Sequence, residues 1–160
     1  MRNPLRGMAG LTLPEVLLAT VIITVGILGV VGLFPTALQN IQYGGHMSQA
    51  SSLAQAMIER IRTEPFGTVF KYHDLDTRNE PPSGLPASVL AHFTQWTNNI
   101  APASPSGALP QGRGTIAVAT VPGLPDLLRV TVTVTWQERG SQTITFVTYV
   151  ARYGWTARSI

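Results

Sequence analysis

A chain of 160 residues, 12% of them charged and with a net charge of +3, has room for one modest domain and a helix beside it. Ten of its eleven basic residues are scattered arginines, which excludes a basic stripe for nucleic acid. Cysteine is absent, and that removes disulfides, thiolate catalysis and cysteine-based zinc sites together.

The N-terminal end is the informative one. Glu15 heads an uncharged run from Val16 to Phe34, just after Gly10-Leu11-Thr12-Leu13-Pro14. Nineteen helical residues at about 1.5 Å each reach about 28 Å, close to one hydrocarbon thickness. A charge near the centre of a bilayer costs roughly 2.5–3.5 kcal/mol, and less towards the interface. Glu15 therefore reads as an acid at the cytoplasmic end of a membrane span; the plainer alternative is an interfacial residue that merely marks where the span begins. Arg2 and Arg6 precede the run, and no further Lys or Arg occurs before Arg60. That bias predicts a single membrane pass, with the N-terminus cytoplasmic and the rest of the chain across the membrane. A secretory signal would carry its small-residue cleavage site after the apolar stretch, not before it.

A helix can start near Thr12, because Pro14 is tolerated in a first turn. Gly26, Gly29, Gly32 and Pro35 weaken its second half and suggest packing against other helices in lipid. A bend is expected at Gly44-Gly45. From His46 to Arg62 the rows Leu53, Met57, Ile61 and Ala50, Ala54, Ile58 repeat every four residues, the mark of an amphipathic helix with one stripe to bury. Pro65 stops it. Residues 35–65 are this packing segment, after a span of residues 11–34. Uninterrupted, Thr12 to Thr63 would extend about 78 Å.

Residues 66–160 are the globular remainder. Residues 71–114 are rich in Pro, Ser and Asn and read as a long connecting loop, with a short helix over Ala87 to Trp96. The C-terminal part is β. Thr115–Val121, Leu128–Trp136 and Gln142–Arg152 are the candidate strands, the last two joined by Glu138-Arg139-Gly140-Ser141. Val130, Val132, Val134 and Trp136 share one face, which needs a cover. The stripe of Leu53, Met57 and Ile61 is the obvious one. The fold class predicted is α+β, a long N-terminal helix packed on a small antiparallel sheet.

Gly10-Leu11-Thr12-Leu13-Pro14-Glu15, with its basic leader and following apolar run, resembles the type IV prepilin cleavage and methylation motif. The helix end Ser52–Pro65 looks like that of PilV-type minor pilins, and Val132-Thr133-Val134-Thr135-Trp136 is similar to their last hairpin. Leu11 departs from the family's usual Phe, and Pro14 from its usual aliphatic residue. The resemblance covers the first 65 residues well and the final 35 loosely, and it implies a type IV pilin-like fold. It further implies that residues 1–10 are a leader cut between Gly10 and Leu11 by prepilin peptidase, which also acts as N-methyltransferase on the new Leu11 amine. Glu15 would pair with that amine on a neighbouring subunit. The implied partners are major and minor pilins through the N-terminal helix, an inner-membrane assembly platform, and the lipid bilayer before assembly. The implied location is the inner membrane with the C-terminal domain periplasmic, and then the pilus at the cell surface. The I-type minor pseudopilin of type II secretion has a related layout and is the nearest rival.

Nothing in the residues indicates an enzyme or a cofactor. His46, His73 and His92 share no metal-ligand spacing. His73-Asp74-Leu75-Asp76 lacks the glycine and distal glutamate of a calcium loop, and no nucleophile elbow or phosphate-binding glycine loop is present. Trp96, Trp136 and Trp155 read as core or rim packing. A solitary signal-anchored periplasmic binding domain is the alternative from a different class.

Overall fold

The computed structural model describes residues 12–100 and 109–152. The chain divides into two compact units, the first ending at Gln42 and the second beginning at Tyr43.

In the first unit, helix α1 (Leu13–Val31) begins where Thr12 turns out of helical geometry, at φ −79° and ψ 149°. The Thr12 carbonyl accepts the Glu15 and Val16 amides at 3.0 and 3.2 Å. None of the residues of α1 is buried. Its threonines are satisfied within the helix: Thr20 Oγ1 donates to the Val16 carbonyl at 2.8 Å, and Thr24 Oγ1 to that of Thr20 at 2.7 Å. A helix in lipid needs such closure, because no water is there to take the hydroxyls. Among the described residues, one helical stretch, Leu13–Thr63, is long and apolar enough to cross a membrane. It is interrupted once, at Gly32-Leu33. Pro35 has no N–H for the Val31 carbonyl and its ring crowds that oxygen, so α1 stops there. The Gly32 and Leu33 amides instead close onto Leu28 and Val30 at 3.1 and 3.0 Å. Helix α2 (Phe34–Thr63) then starts with Pro35 in its first turn, where it does no harm.

The Gly44-Gly45 pair, where a bend is expected, does not interrupt α2, which runs through both glycines. Tertiary contacts on either side of the pair override their weak helix propensity. The Tyr43 hydroxyl donates to Gln142 Oε1 at 3.2 Å, and His46 Nδ1 lies 3.0 Å from Glu138 Oε2. Arg60 and Arg62 complement the dipole in the last turn of α2.

The second unit holds the rest. After α2 come a one-turn helix α3 (Phe66–Val69), a 3₁₀ turn (Phe70–Tyr72), the two-residue strand β1 (Leu75–Asp76) and helix α4 (Ala87–Ile100). Strands β2 (Arg113–Val121), β3 (Leu124–Gln137) and β4 (Ser141–Ala151) follow. The sheet is an antiparallel meander in the order β1-β2-β3-β4. Pro122 and Gly123, the latter at φ 79°, make the β2–β3 turn, the residue pair and signs that a type II turn demands. The stretch read from sequence as a connecting loop thus contains β1 and a fourteen-residue helix that extends four residues beyond Trp96.

That helix matters because it completes the core. Val89, Phe93, Trp96 and Ile100 of α4 join Ala50, Ala54, Met57, Ile58 and Ile61 of α2 and the inward residues of β2 and β3 in one buried cluster. Each large apolar side chain buried there contributes roughly 1.5–3 kcal/mol. The layout is α+β, with the second half of the long helix on one face of a four-stranded sheet.

Candidate functional site

The arrangement with functional potential is an exposed apolar helix headed by an acid and anchored to a folded domain. Of the prepilin-like motif, Thr12 is the residue before α1, Leu13 and Pro14 are its first two positions, and Glu15 lies in its first turn. Gly10 and Leu11 lie outside the described residues. The Glu15 side chain is exposed. A carboxylate there is favoured by the unpaired amides of the helix start, worth about 0.3–1 kcal/mol. Glu15 is also the only ionisable side chain from Thr12 to Gln42. A cation that pairs with it must therefore come from outside that stretch.

The anchor is built from the amphipathic part of α2. Met57, Ile61, Val132, Val134 and Trp136 are buried in the common core, and Leu53 packs half-buried at its margin. The four-residue repeat turns all three helical positions to one side, and the alternation of β3 presents Val132, Val134 and Trp136 to it. Two polar contacts lock the assembly. Trp96 Nε1 donates to the Leu53 carbonyl at 3.0 Å, and Trp136 Nε1 donates to Glu138 Oε2 at 3.3 Å. The indoles of Trp96 and Trp136 are therefore core elements; Trp155 lies outside the described residues.

Three ionic clusters brace the domain, and sequence reasoning missed all three. Asp76 accepts from Arg113 Nε at 3.1 Å and Nη2 at 2.6 Å, and from the Arg78 amide at 3.0 Å. The Arg113 guanidinium holds the Asp76 carboxyl below the usual carboxylate range, against an opposing push from partial burial. The Tyr72 hydroxyl lies 2.7 Å from His92 Nδ1, which is 3.6 Å from Glu64 Oε1. Burial pushes the Tyr72 hydroxyl well above its ordinary value, and the Glu64 carboxylate adds to the shift. In the third cluster His46 Nδ1 approaches Glu138 without hydrogen-bond alignment. Apart from the Arg78 amide, two residues from Asp76, these partners are 20 to 92 residues apart in sequence, so local spacing does not reveal them.

The three histidines do not converge. His73 Nδ1 accepts the Val118 amide at 3.1 Å, which puts its proton on Nε2, 3.3 Å from Asp74 Oδ2. Among the described residues no three His, Asp or Glu side chains are grouped to hold a metal ion. What the described residues present is an exposed apolar helix with an acid in its first turn and a domain with a common buried core. No protein-family model, curated protein or solved structure matches this chain.

Proposed function

We propose that this chain is a minor pilin, a structural subunit of a type IV pilus that works by helix packing and supports pilus assembly or priming, adhesion or motility. The observation that carries the reading is α1. Nineteen residues, none of them buried, hold one ionisable group, and that group stands in the first turn.

In this reading prepilin peptidase cuts between Gly10 and Leu11, which removes Arg2 and Arg6 and leaves a cationic amine at the head of an apolar helix. The amine of one subunit pairs with Glu15 of a neighbour, and each charge offsets the desolvation of the other. The amphipathic half of α2 carries the sheet domain, held by the core around Met57, Ile61 and Trp136.

The test is Glu15→Gln in the cells that make the protein. Membrane insertion is expected to be unchanged, while recovery of the subunit in sheared pili, read by immunoblot, falls. Recovery equal to that of the unaltered chain refutes the role of Glu15.

A further inference from the structure

The two edges of the sheet are finished differently. On the β2 side, Leu75 and Asp76 of β1 pair with Ile116 and Thr115. Beyond β1, the Thr77 amide donates to the Gly114 carbonyl at 3.0 Å, and the Gly114 amide donates to Thr77 Oγ1 at 2.8 Å. Further along, His73 takes the Val118 amide. That edge is closed. On the other side β4, eleven residues long, pairs only with β3 among the described residues.

Native edge strands are normally kept short, or broken by charge, proline or a bulge, because open amides and carbonyls recruit other chains. Strand β4 has none of these devices. Ser141–Ala151 contains no charged residue, no proline and no glycine, and its register with β3 runs without a shift. About half of its backbone groups face away from β3 and present a template for one more strand. Val147 and Tyr149 stand exposed along it.

At the Ala151 end of β4 opens a cavity of about 400 Å³, whose lining includes Arg62, Phe66, Tyr149 and Arg152. Arg62 and Arg152 are 54% and 62% exposed. Their carboxylate partners, Glu59 and Asp126, are 68% and 67% exposed, and surface pairs of this kind are weak enough to be exchanged. The third carboxylate, Glu64 of the lining, is 10% exposed and lies 3.6 Å from His92. The Arg152 guanidinium rests 4.8 Å over the Phe66 ring, which fixes it beside the strand end.

We infer that the β4 edge receives an extended segment of another polypeptide, added antiparallel, with an acidic residue seated between Arg62 and Arg152. A second copy of β4 is a poorer occupant, because Ser141–Ala151 holds no carboxylate and the nearest one before it, Glu138, is already held by the Trp136 indole and beside His46. The inference does not depend on filament assembly, so each can fail without the other.

The probe is a fluorescent, acetylated and amidated ten-residue peptide, two aspartates followed by alternating threonine and valine, titrated against the full chain in detergent micelles by anisotropy. Saturable binding is expected. N-methylation of alternate amides in one parity should weaken it at least about tenfold, and in the other parity far less, since only one set faces β4. Changing both aspartates to asparagine, or Arg152→Ala in the protein, should weaken it about fivefold. Absence of saturable binding, equal binding of the two N-methylated series, or equal binding of the aspartate and asparagine peptides would overturn the inference.

Discussion

The Trp96 ring occupies the space that a side chain on Gly114 would need. A Cβ built at Gly114 meets the far edge of that ring and comes within 2.7 Å of Ile100 Cδ1. Strand β2 and helix α4 touch through this gap, and Trp96 in turn donates to the Leu53 carbonyl of α2. One glycine thus lets three elements share a core. Gly114→Ala is expected to destabilise the domain by about 1–3 kcal/mol, since neither the indole nor the strand backbone can yield cheaply. Urea unfolding of the full chain in detergent checks this, and an unchanged midpoint would contradict it.

Gly44 and Gly45 are the opposite case. Both sit inside α2, and a Cβ at either would meet nothing within 4 Å. Gly45→Ala should therefore stabilise the second unit by about 0.5–1 kcal/mol through reduced unfolded-state freedom. The measurement is again the unfolding midpoint, and a loss of stability would show that the helix needs the glycine for a reason not visible in its packing.

Asp76 sets an acid limit. Its folded-state carboxyl titrates below the ordinary carboxylate value of 3.8 because Arg113 donates to it. The stability it adds is fully present above about pH 4 and is lost as pH falls through the lower folded value. Arg113 is 44% exposed, so screening limits the contribution to about 1 kcal/mol or less. Compared with Asp76→Asn, the native chain should hold a constant advantage from pH 5 to 7 that shrinks below about pH 4. An advantage that does not shrink as pH falls below about 4 would contradict the pairing.

Tyr72 sets an alkaline one. In the unfolded chain its hydroxyl ionises near the ordinary tyrosine value of 10.0, whereas burial and the Glu64 carboxylate keep it protonated in the fold. The neutral form is bound preferentially, so stability declines as pH rises past about 10. Tyr72→Phe should cost about 1 kcal/mol at pH 7 through the lost contact with His92. It should also flatten the decline between pH 9 and 11. Parallel pH profiles for the two proteins would rule out this origin.

How much of this was legible in the residues depends on the range of the forces involved. Helix α2 showed itself because Leu53, Met57 and Ile61 repeat at the helical period, and β3 because Val130, Val132, Val134 and Trp136 alternate without a break. Helix α4 was visible only over Ala87–Trp96, since Asn98 and Asn99 near its end are weak helix formers and Ile100 is held by core packing. Strand β1 left no trace at all. Two residues long, it is fixed by Asp76–Arg113 and by Thr77–Gly114, contacts that span 37 residues. The interruption at Gly32-Leu33 is foreshadowed by Pro35, while the Gly44-Gly45 pair leaves α2 unbroken, with contacts from Tyr43 and His46 on either side.

A pilin of the proposed kind frees the head of α1 by processing between Gly10 and Leu11. Mass spectrometry of the chain purified from the membranes or pili of the cells that make it is the direct measurement. A subunit that begins at Leu11 with a methylated amine is the expected result. A chain that retains residues 1–10 while present in assembled filaments would contradict it.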